Sequence, residues 1–122
     1  VFKTLLFVYN ADSGFLNAIK DGVEKITDIK GYGCRLCGLT YGLATMKGSW
    51  KRFLKGLPIE SKFLHRDEYR KLYGGDTPLP ATFIEEEGAL TLIISSSEYN
   101  ELTTLKGLET LVRTRLREYG II

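Results

Sequence analysis

The order of hydrophobic patterns along this 122-residue chain predicts an α/β, three-layer domain. Its centre would be a four-stranded mixed sheet, two strands parallel and two in an antiparallel hairpin, with helices on both faces. Three observations carry that expectation. The first strand pattern is apolar on both of its faces, so it belongs inside a covered sheet. Helical patterns separate it from the second, and a right-handed crossover of that kind makes the two strands parallel neighbours. The last two strand patterns are joined by a tight turn, which makes them a hairpin.

Thr4 to Tyr9 is an unbroken apolar and β-branched run, the mark of the first strand. Asn10-Ala11-Asp12-Ser13-Gly14 ends it, and Asp12 or Ser13 can cap a helix starting there. Phe15, Leu16, Ile19, Val23 and Ile26 recur at helical spacing opposite Asn17, Lys20, Asp21, Glu24 and Lys25. An amphipathic helix is therefore expected from about Gly14 to Thr27. After a glycine-containing loop at 28–33, the helical period resumes at Cys34 and runs through Leu36, Leu39, Leu43 and Met46. Gly38 and Gly42 stand four apart on it and would allow close packing in the core. Lys47-Gly48-Ser49 interrupts the helix, and Ser49 can cap a second piece. That piece carries the stripe Trp50, Phe53, Leu54 and Leu57, and Gly56 and Pro58 stop it.

Ile59 to His65 reads as the second strand, and Arg66 to Tyr73 as a short polar helix closed by Gly74-Gly75. Thr77-Pro78-Leu79-Pro80 leads into the third strand at Ala81-Thr82-Phe83-Ile84. A turn at Glu87-Gly88 returns the chain through Ala89 to Ile94, and Glu85, Glu86 and Glu87 form the charged end of this hairpin. After Ser95-Ser96-Ser97, one long amphipathic helix is expected, carrying Leu102, Leu105, Leu108, Val112, Leu116 and Tyr119 up to Gly120. No repeat, low-complexity tract or linker divides the chain, so residues 1–122 are read as a single domain.

Composition narrows the function classes. Hydrophobic residues make up 43% and charged residues 26%, which is globular rather than disordered. Seventeen basic residues against fifteen acidic ones leave a net charge of +2, too small an excess to argue for nucleic acid or an anionic membrane. The basic residues at Lys47 to Lys55 and at Arg113, Arg115 and Arg117 alternate with apolar ones and read as solvated helix faces. No apolar run approaches a membrane span, and no charged-then-apolar leader opens the sequence, so the expected setting is cytoplasmic. Glycine-rich phosphate loops, nucleophile elbows and metalloprotease helices are absent.

The chemistry-bearing feature is Gly33-Cys34-Arg35-Leu36-Cys37-Gly38, which holds the chain's two cysteines. A pair at this spacing can cycle between dithiol and disulfide, supply half of a metal site, or sit buried as small apolar side chains. At a helix start, backbone N–H groups and the adjacent Arg35 favour a thiolate on Cys34. His65, the single histidine, could deprotonate that thiol or join Cys34 and Cys37 as a zinc ligand, with Asp67 or Asp12 as a fourth. A lone histidine closing a strand is more often an ordinary surface or hydrogen-bonded residue. Failing convergence within one chain, a zinc site would need both cysteine pairs of a homodimer.

On three features the chain resembles the thioredoxin-like superfamily: a βαβ half followed by a ββα half, a CxxC near a helix start, and Pro80 directly before the third strand. That superfamily places a cis-proline there, beside its active site; the alternative is a trans proline opening an edge strand. Tyr9 to Leu16 is similar to the opening of the DCC-type thiol-disulfide oxidoreductase-like group. In that alignment Ser13 and Leu16 stand where the cysteines would be, and the actual CxxC follows an additional helix. Either the redox pair has migrated or it is a separate site.

The resemblance implies thiol–disulfide exchange without a cofactor, with Cys34 attacking, Cys37 resolving, and Leu79 and Pro80 positioning an extended substrate segment. The partner would be a protein or a small thiol. Asp12, Ser13 and His65 leave the C-terminal ends of the parallel strands, where open sheets gather ligands, unless Asp12 and Ser13 simply cap the helix. Exchange requires the sulfurs to reach solvent near Pro80. The loop at 28–33 could carry them to either edge of the sheet. The alternative reading is a non-enzymatic binding or scaffold domain whose cysteines are structural or hold zinc.

Overall fold

The computed structural model describes residues 2–12, 34–40 and 46–122. The helix expected at 14–27, the loop at 28–33, Ser13, Gly42 and Leu43 lie outside the described residues. Four strands, β1 (Lys3–Val8), β2 (Glu60–Leu64), β3 (Ala81–Glu86) and β4 (Ala89–Ile94), form one sheet in the order β2-β1-β3-β4. β1 and β2 are parallel, with Phe7 beside Phe63. β3 runs antiparallel to β1, Val8 facing Ala81, and β4 antiparallel to β3. This is the mixed sheet expected from the patterns.

β1 explains why the layers form. Thr4 through Tyr9 are all buried, and alternate side chains point to opposite faces. Leu5, Phe7 and Tyr9 enter one apolar cluster, whereas Leu6 and Val8 enter another with Tyr69, Ala81 and Phe83. The second cluster is covered by α3 (Arg66–Tyr73), through Tyr69 stacked 5.6 Å from Phe83. Four further described helices contribute to the first cluster: α1 (Arg35–Thr40), α2 (Gly48–Lys55), α4 (Ser96–Glu101) and α5 (Leu105–Glu118). Trp50 is fully buried there, edge-on to Phe7 at 5.4 Å and stacked on Phe53 at 5.6 Å. No described helix is long and apolar enough to cross a membrane.

Four expectations are corrected. The single C-terminal helix is two. Leu102 leaves the helical region at ψ 136°, and Thr104 caps a new helix by accepting the Gly107 N–H at 3.0 Å. A threonine oxygen offers those amides a local partner, so a second helix starts instead of the first continuing. Ser49 does not cap α2; the cap position is Lys47, without a side-chain bond, and Ser49 lies inside the helix. Gly38 shows no close approach to any described residue, since a Cβ there would meet none of them within 4 Å. Arg115 is not on a solvated face: its Nε donates to the Ile93 carbonyl at 2.9 Å, and its guanidinium pairs with Glu98.

The hairpin turn uses left-handed backbone at Glu87 (φ 53°) and Gly88 (φ 83°), the geometry that matches strand twist. Gly88 also donates its N–H to Glu85 Oε2 at 2.9 Å.

Two substitutions test this packing. Tyr99 in α4 is fully buried, and its hydroxyl bonds the buried Thr82 hydroxyl in β3. Tyr99→Phe leaves Thr82 without that partner and should cost about 1–2 kcal/mol in urea unfolding. A Cβ at Gly75 would collide with the Tyr69 hydroxyl, which must then move within a filled cluster. Gly75→Ala should lower stability by about 1–3 kcal/mol on the same measurement.

Candidate functional site

Cys34 immediately precedes α1 and Cys37 lies in its first turn. One turn of helix brings positions three apart onto the same face. Their Cα atoms are 5.3 Å apart and the sulfurs stand at disulfide distance. Cys34 Sγ accepts the backbone N–H of Cys37 at 3.3 Å, so it occupies the place of a capping side chain. The Gly38 N–H donates to the Cys34 carbonyl at 3.1 Å and closes the turn. Both cysteines belong to the larger apolar cluster; Cys34 is 3% exposed and Cys37 1%.

Cys34 nonetheless lines a cleft of about 430 Å³. Its described walls are the start of α1 with Arg35, then Lys47, and the junction of α4 and α5 with Asn100, Thr103 and Thr104. That junction is held by Arg115 of α5, which bonds the Ile93 carbonyl and Glu98 of α4 and also pairs with Glu118 of its own helix at 3.4 Å. Burial pushes the Glu98 carboxyl up, but the Ser95 N–H at 2.9 Å and the Arg115 guanidinium outweigh it, so its pKa lies below the ordinary value.

The other expected site residues fall into separate groups. The Leu79–Pro80 peptide is cis and Pro80 is buried ahead of β3. Val8 faces Ala81, so this is the edge where β1 ends. β4 also ends there, α4 leaves from it, and α1 packs against α4. The cysteine helix is thus docked on an element rooted at that edge, though neither Leu79 nor Pro80 is among the described residues lining the cleft.

Asp12 is exposed and receives the Arg66 Nε–H at 2.9 Å, and this bond draws its pKa down. Arg66 also donates its backbone N–H to the Ala11 carbonyl at 2.9 Å and a guanidinium N–H to Asn10 at 3.3 Å. This clamp ties the exit of β1 to the start of α3. His65 sits at the α3 cap position: its backbone N–H donates to Glu68 Oε1 at 2.8 Å, and its ring Nδ1 pairs with the same oxygen. It lies 6.0 Å from the Tyr9 ring. Asp12 and His65 are therefore brought together through Arg66. Among the described residues, however, no three His, Cys, Asp or Glu side chains form a group that could hold a metal, so Cys34, Cys37 and His65 do not converge.

Sequence reasoning did not select Lys47, Asn100, Thr103 or Thr104. The Thr103-Thr104 pair just before Gly107 is a capping signal that could have marked the junction.

The position of Glu98 has a consequence with pH. Its pKa is lowered on folding, so its contribution is present above the unfolded carboxyl value of roughly 4.3 and is lost as pH falls through the folded value. Asp12 and Glu68 are lowered too, by bonds to Arg66 and to the His65 N–H respectively, and act in the same sense. Glu98→Gln should therefore make thermal stability fall less steeply between about pH 6 and about pH 3, without abolishing the slope. An unchanged slope would show that Glu98 is not coupled to folding.

Comparison with known proteins finds no matching family model, no matching curated protein and no matching solved structure.

Proposed function

We propose that this is a thioredoxin-like domain performing thiol–disulfide exchange through Cys34 and Cys37. The observation that carries the reading is a sulfur pair at disulfide distance, closed within one helical turn, whose first member borders an open cleft. The strand order and the parallel β1–β2 pair support it as the arrangement the resemblance implies.

In the reduced protein the Cys34 thiolate attacks one sulfur of a substrate disulfide. A new S–S bond forms, the substrate S–S bond breaks, and one thiolate leaves. The Cys37 thiolate then attacks Cys34 and releases the second substrate thiol. The protein pair is oxidised by two electrons while the substrate is reduced to two thiols, and a dithiol reductant, protein or small, returns the pair to its starting state. The Cys37 N–H bonded to Cys34 Sγ stabilises negative charge on that sulfur. In a cytoplasmic setting such a pair would cycle rather than stay oxidised.

Near-complete burial of both cysteines favours a second reading, in which the pair is a structural link in a binding or scaffold domain. A thiol titration with 5,5′-dithiobis(2-nitrobenzoic acid) separates the two. Reduced wild type should release two thiolate equivalents and finish with an internal disulfide. Cys37→Ser should accumulate a stable mixed disulfide on Cys34, whereas Cys34→Ser should react at least tenfold more slowly, because Cys37 is the more deeply buried sulfur. If neither variant reacts until denaturant is added, the structural reading holds.

A further inference from the structure

We propose that the exchange substrate is a small disulfide bearing carboxylates, received in the cleft over Cys34. This rests on the exchange reading above and names its substrate class. Three observations lead to it. Cys34 is recessed at 3% exposure at the border of a cleft, a setting that a small disulfide enters with less rearrangement than one fixed on a broad protein surface. The cleft, at about 430 Å³, falls in the range of small-molecule sites. Its described lining carries the two cations Arg35 and Lys47 and no carboxylate.

Neither cation is committed to another described residue. Both residues are exposed, and neither forms an ion pair with a described residue. Arg35 follows Cys34 directly, so its charge lies beside the attacking sulfur. A carboxylate-bearing disulfide would set its acid groups against Arg35 and Lys47 as its sulfur comes over Cys34. The polar side chains of Asn100, Thr103 and Thr104 on the opposite wall can hydrogen-bond its remaining groups. A cationic disulfide would meet like charge on one side and find no acid among the described residues on the other.

The experiment uses three symmetric disulfides of similar size: 3,3′-dithiodipropionate (anionic), 2-hydroxyethyl disulfide (neutral) and cystamine (cationic). The rate of each with the reduced protein is divided by its rate with dithiothreitol, which removes intrinsic differences between leaving groups. At low salt the normalised rate should be about tenfold higher for the anionic than for the cationic probe, and the gap should narrow as salt is added. In the double variant R35Q/K47Q the ratio should approach one. The ratio is the readout because any change in Cys34 reactivity moves all three probes together. Equal normalised rates in wild type, or a preference that survives R35Q/K47Q, would overturn the substrate class while leaving exchange intact. No reaction with any probe removes the exchange reading, and this inference with it.

Discussion

The rest of the structure depends on the double burial of β1. A strand with both faces covered must find hydrogen-bond partners on both edges as well, because its backbone has no access to water. β2 and β3 supply them, one parallel and one antiparallel. Its alternating side chains then seed two apolar clusters, and each needs helical cover. The layers, the strand order and the position of every described helix follow from satisfying that one segment.

The cover on the two faces is unequal, and the candidate site sits on the richer one. Among the described residues a single helix, α3, serves the smaller cluster. Four described helices serve the larger, and three of them are short, so helix ends meet on that face of the sheet. Helix ends leave polar backbone and unfilled space, which is how a cleft opens beside a sulfur that is itself nearly sealed. Arg115 keeps the far wall of that cleft in place by bridging α5 to both α4 and the end of β4.

The features legible in the sequence were local ones. The apolar run of β1, the Glu87-Gly88 hairpin, the Trp50 stripe and the spacing of the cysteines all declare themselves within a few residues. Pro80 could be placed but its isomer could not. The break at Leu102 was hidden because Leu102 stays packed against the core, so the apolar stripe runs on across it. Arg115 read as one of three surface cations, since nothing nearby shows that its partners lie at Glu98 and Ile93. Arg66 and Asp12 are 54 positions apart, and Lys47 and Asn100 come from different helical segments. Such juxtapositions are products of the tertiary fold and leave no periodic trace in the chain.

Trp50 gives the protein a built-in means of being watched. It is the only tryptophan, and it is sealed in the same apolar cluster as both sulfurs, wedged between Phe7 and Phe53. An indole so shielded from water should emit at short wavelength in the native state, and solvent entering this layer should shift the emission to longer wavelength. The molecule thus carries its own fluorophore on the side where the sulfurs sit, so loosening there registers without any attached dye.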